Sequence, residues 1–161
     1  DAVLARLDKG HTRADFLEAV RLTREAGLAL APTFVAFHPW TTRDGYRELL
    51  RTILELDLVE NVAPVQLAVR LLIPAGSRLL ELDEVRRLVG PFEEQALAYP
   101  WRNPDPGVDE LCSRVEAEVK AGGPRVEVFA RIWKLVHGAP PPDYHLVSRA
   151  AIPYMTEPWF C

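Results

Sequence analysis

Only two cysteines and one methionine occur among 161 residues. Cys112 and Cys161 stand far apart, which is no disulfide framework, so a reducing, cytoplasmic setting is expected. Basic residues are in the minority, 19 Lys and Arg against 23 Asp and Glu for a net charge of -4. With no basic stripe to override that balance, there is no electrostatic case for nucleic acid. No apolar run approaches the ~20 residues of a membrane helix, and residues 1–20 carry no signal-peptide pattern, so no membrane association is expected. The four histidines show no metal-ligand spacing. A glycine-rich phosphate loop, a nucleophile elbow and a paired-carboxylate pattern are all missing.

What is present is a soluble composition, 48% hydrophobic and 26% charged, enough for one domain with a core. Thr12, with Asp15 three residues on and Gly27 as a stop, predicts a helix between them. Tyr46, Leu49, Leu50, Ile53 and Leu54 predict a second near 44–57. Two near-continuous apolar runs, 28–37 and 64–73, read as buried strands around that helix, and such strands pair in parallel. Beyond Pro74 a short helix from Asp83, a proline-rigid loop at 99–107 and helices near 107–121 and 124–137 follow. Gly138-Ala139-Pro140-Pro141-Pro142 reads as a linker to an aromatic tail ending in Cys161. Two strands alone leave open edges, and both ends of the sequence are abrupt, so a fragment is expected.

Several residues could carry chemistry. Alternation along 64–73 sets Gln66 and Arg70 on one face of the second run. A guanidinium inside so apolar a run needs a partner, either a ligand carboxylate or a structural Asp or Glu, and both readings stand. Thr33 suits a sugar hydroxyl but is also an ordinary strand former. His11 and His38 each fit a hydrogen-bonded histidine at a cap or turn. Cys112 falls in a helical pattern and reads as core. Cys161 is either a ligand or redox thiol or an inert terminal residue.

The phrases Pro32-Thr33-Phe34-Val35-Ala36-Phe37-His38-Pro39-Trp40-Thr41-Thr42 and Gln66-Leu67-Ala68-Val69-Arg70-Leu71-Leu72-Ile73-Pro74-Ala75-Gly76-Ser77, with Val3 to Thr12 before them, resemble the second half of a radical S-adenosylmethionine domain. The resemblance is to the subgroup with a Cys-Sec-Ala-Glu-Pro or Cys-Cys-Ala-Glu-Pro tail. It implies an α/β fold: the C-terminal half of a partial (β/α)6 barrel, a partial TIM barrel, over 1–90. A helical extension over 91–138 and a linker with an aromatic, cysteine-bearing tail over 139–161 would follow. It further implies reductive cleavage of S-adenosylmethionine at a [4Fe-4S] cluster whose cysteine motif lies upstream of Asp1. Radical chemistry on a peptide or small protein, fed by an electron donor, would follow. By the family pattern Lys9 corresponds to a residue binding the cofactor carboxylate, Thr33 to a ribose contact and Val35 to a residue packed on adenine. Lysine lacks the bidentate fork of the arginine common at that position. Gln66 and Arg70 would face substrate, and Cys161 could ligate an auxiliary cluster, with selenocysteine as the implied next residue.

Two other readings come from different classes. One is a non-catalytic helical interaction module whose aromatic tail docks a partner. The other is a fragment of a TIM-like hydrolase or aldolase.

Overall fold

Thr12 starts the first long helix as its spacing predicts. Its hydroxyl accepts the Asp15 N–H while the Asp15 carboxylate accepts the Thr12 N–H, a reciprocal capping box. In the computed structural model, which describes residues 1–142, a short helix α1 (Ala2–Arg6) precedes this one, α2 (Arg13–Glu25). Thr42 caps α3 (Arg43–Glu55) by accepting the Gly45 N–H at 3.0 Å. A single-turn helix, α4 (Asp83–Arg86), then leads by way of the 91–105 loop to α5 (Pro106–Lys120). Pro106 sits where a helix needs no donor, and Asp105 accepts the Gly107 N–H at 2.9 Å. The last helix, α6 (Arg125–His137), stops at Gly138, whose φ of 77° is the left-handed cap geometry glycine adopts freely.

The expectation of an α/β fold is corrected here. The described residues are half helical and contain no strand and no sheet, so the partial (β/α)6 barrel, or partial TIM barrel, is not present among them. The run 64–73 breaks up because Pro64 starts a 3-10 turn, Pro64–Leu67, closed by Gln66 N–H to Ala63 O at 2.9 Å. Leu67 and Ile73 lie in the core without a ladder, while Leu72 is exposed. The run 28–37 is extended but unpaired over most of its length. Pro32 removes one donor, and the Phe34 N–H is taken by the Gln66 side chain at 3.0 Å. A short apolar run is equally compatible with a strand and with buried irregular chain, and its periodicity does not separate them.

One trace of the expected pairing survives. Phe37 and Arg70 form an isolated parallel bridge, with Phe37 N–H to Val69 O at 2.9 Å and Leu71 N–H to Phe37 O at 2.8 Å. The chain therefore runs extended segment, α3, extended segment, and the two segments meet in parallel at one point.

Packing draws on both sides of residue 90. The main core joins Phe37, Tyr46, Leu50 and Ile53 to Val108, Val115, Phe129 and Ile132. The Phe37 and Tyr46 rings stack at 4.8 Å, and the buried Tyr46 hydroxyl donates to Leu67 O at 2.9 Å. A smaller cluster gathers Ile73, Val85 and Trp101 with Trp40 and Leu71 at its margin. The amphipathic α3 turns Tyr46, Leu50 and Ile53 into the main core.

Candidate functional site

A small set of polar residues converges where the two extended segments meet. Arg70, placed by the bridge to Phe37, is 28% exposed at its side chain and so is partly withdrawn from water. Its Nη1 donates to Asp109 Oδ1 at 2.9 Å, and its Nη2 donates to the Trp101 carbonyl at 2.7 Å. The guanidinium carbon lies 3.7 Å from the Trp101 ring centroid, a cation–π contact. Trp101 is anchored in turn, its indole N–H donating to Leu71 O at 2.7 Å. Asp109 sits in the first turn of α5, where the helix dipole favours a carboxylate. Its second oxygen accepts the Asn103 N–H at 3.1 Å.

Asn103 carries the network to the other segment. It is buried, and its side-chain amide donates to Thr41 O at 3.0 Å. The Thr41 hydroxyl donates to Ala36 O at 3.1 Å and accepts the His38 N–H at 2.9 Å. The His38-Pro39-Trp40-Thr41 turn is thereby locked. His38 Nδ1 accepts the Trp40 N–H at 3.2 Å, so the neutral ring carries its proton on Nε2. Burial drops the His38 pKa to about 4, leaving it uncharged at neutral pH. At this crossing a cation, its counter-carboxylate and a neutral imidazole are fixed on three segments by internal hydrogen bonds.

The residues singled out from sequence take several different settings. Lys9 lies exposed after α1, its carbonyl accepting from His11 Nδ1 at 2.9 Å. Thr33 is exposed and Val35 half-buried on the extended segment. Gln66 holds the Phe34 backbone, and Arg70 faces Asp109 and Trp101. Lys9, Thr33 and Val35 line neither the cleft at Asp44, Arg51 and His137 nor the one at Arg43, Glu110 and Arg114. No chemical step is assigned to those three residues.

The expectation of metal binding is likewise corrected, since no group of three or more His, Cys, Asp or Glu residues among the described ones could hold a metal ion. Cys112 is buried on α5, with its Sγ 3.6 Å from Glu116 Oε1. Burial pushes its thiol pKa up to about 11, the reverse of a ligating or nucleophilic cysteine. Cys161 lies outside the described residues. No helix among the described residues is long and apolar enough to cross a membrane.

Sequence reasoning missed Trp101, Asn103 and Asp109. The signal available was the proline-fixed loop before a well-capped α5, which marks a rigid platform without saying what it supports. No family model, curated protein or solved structure matches the chain.

Proposed function

We propose that this chain is part of a radical S-adenosylmethionine enzyme that modifies a peptide or protein. The observation that supports the reading is the parallel meeting of Phe37 and Arg70 at the two ends of the α3 connection. The Phe37-His38-Pro39-Trp40-Thr41-Thr42 phrase that carries the family resemblance forms the locked turn beside it. On this reading the described residues are a supporting segment. The [4Fe-4S] cluster, its cysteine ligands and most of the cofactor contacts belong to sequence preceding Asp1, and an electron donor supplies the reductant.

The test uses the full-length gene product, reconstituted anaerobically with iron and sulfide. Iron–sulfur absorption and release of 5'-deoxyadenosine on reduction with S-adenosylmethionine are expected. A colourless product that forms no 5'-deoxyadenosine contradicts the reading.

A second reading, a non-catalytic interaction module, draws support from Leu72 and Leu97. They are 74% and 71% exposed, and Leu97 directly precedes Ala98 while Leu72 stands two residues before Pro74 in the Pro74–Ala98 bridge. Exposed apolar side chains grouped in this way are a feature of contact surfaces. A colourless full-length protein that loses a bound partner on Leu72→Ser and Leu97→Ser would favour this reading over the first.

A further inference from the structure

Helix α1 is held to the rest of the chain by charge rather than by packing. None of its side chains is buried, and neither hydrophobic cluster among the described residues includes Val3, Leu4 or Leu7. A helix of 5 residues is too short to keep its shape alone in water, so its order depends on what ties it down. Polar contacts do this. Arg6 Nε donates to Glu84 Oε1 at 3.1 Å, and Arg78 Nη1 donates to Asp8 Oδ2 at 3.0 Å. At the other end Asp1 Oδ1 accepts the Arg13 N–H of α2 at 2.7 Å.

The Arg6 contact also covers an aromatic ring. Its guanidinium carbon stands 5.4 Å from the Trp40 ring centroid, and the Trp40 indole N–H donates to the same Glu84 Oε1 at 2.9 Å. Trp40 belongs to the locked turn at the crossing, with the His38 ring centroid 5.8 Å from its own. The link from α1 to α2 passes through Asp8 and Gly10, both left-handed with φ of 51° and 66°. A Cβ at Gly10 would meet nothing within 4 Å. Glycine in open space with this backbone freedom has the properties of a hinge.

We propose that residues 1–9 form a strap, hinged at Gly10, that masks the Trp40 ring and the Glu84 carboxylate and is released by ionic strength. The Arg6 and Glu84 side chains are 41% and 47% exposed, and Arg78 and Asp8 more so, which leaves every ion pair of the strap open to screening. The screening length falls from ~10 Å at 0.1 M salt to ~3 Å at 1 M. No core packing opposes release. The Trp40–Glu84 hydrogen bond does not involve α1, so release bares a ring face held beside a carboxylate at the edge of the crossing. The strap does not depend on the radical-enzyme reading, because its contacts are the same whatever chemistry the chain serves.

Amide exchange in the full chain reads release directly, because a helix this short melts once untied. The Ala5, Leu7 and Lys9 amides donate to the Asp1, Val3 and Leu4 carbonyls. Their exchange, taken relative to an unstructured peptide of the same sequence, should be at least about threefold faster in 1 M than in 20 mM sodium chloride. The amides of α3 and α5 should not follow. Glu84→Gln keeps an oxygen for the Trp40 indole and removes the charge, so it should show the fast α1 exchange already at low salt. Nuclear Overhauser contacts between Arg6 and Trp40 should fade in that variant and at high salt alike. Salt-independent α1 exchange, slow α1 exchange in Glu84→Gln at low salt, or α1 amides that open only together with those of α3 would overturn the proposal.

Discussion

Arg70 and Asp109 stand 39 residues apart in sequence and 2.9 Å apart in space, joining the second extended segment to the first turn of α5. The pair is the electrostatic centre of the crossing, because Asp109 also accepts the Asn103 N–H and Arg70 also caps the Trp101 carbonyl. Both side chains are 28% exposed. Losing one partner therefore leaves a partly desolvated charge, while solvent screening keeps the penalty below that of a fully buried ion.

Asp109→Asn should accordingly destabilise the chain by about 2 kcal/mol, read as a lower urea midpoint with an unchanged slope. The double change Arg70→Met with Asp109→Leu should recover part of that loss, since no charge is then stranded. If the double variant falls by the full sum of the two single changes, the pair is not coupled as described.

His38 sets the acid response. Its folded pKa is lowered to about 4 from an ordinary 6.5, and burial is the cause. Above about pH 6.5 the ring is neutral in both folded and unfolded chains, and it adds no pH dependence. As pH falls from there toward 4 the unfolded chain takes up the proton first, so stability drops, and below 4 the loss is complete. Allowing for solvent at a ring that is not fully buried, the loss is about 1–2 kcal/mol. The difference in unfolding free energy between pH 7 and pH 4.5 should shrink by about that amount in His38→Gln. An identical pH dependence in the variant would place the sensitivity elsewhere.

Cys112 should be inert in the folded chain. Burial on α5 and a thiol pKa pushed up to about 11 leave little thiolate at neutral pH. A disulfide exchange reagent such as dithionitrobenzoate should modify it only as fast as the chain opens, with the rate rising in urea. Rapid stoichiometric labelling in native buffer at this position would contradict the packing of α5.

The helices were legible in the sequence because their ends carry local chemistry. Thr12 with Asp15 does this for α2; Asp105 with Pro106 and Gly138 do the same for α5 and α6, although in the sequence they read as a rigid loop and a linker. The runs 28–37 and 64–73 were not legible in the same way. Buried apolar chain has the same composition whether or not it is laddered, and what decided between them was the turn at Pro64 and the Gln66 amide meeting Phe34. For Arg70 the need for a partner was legible, but its identity depended on Asp109 and Trp101, which only the fold brings near.

Amide hydrogen exchange resolved by residue tests most directly the central claim, that one parallel bridge rather than a sheet holds the two extended segments together. The Phe37 and Leu71 amides, both hydrogen-bonded across the crossing, should be protected. Those of Ala29, Ala31, Thr33 and Val35, which have no acceptor among the described residues, should exchange close to the rate of an unstructured chain. Continuous alternating protection along 28–37 and 65–73 would instead mean that two paired strands exist, and it would contradict the account.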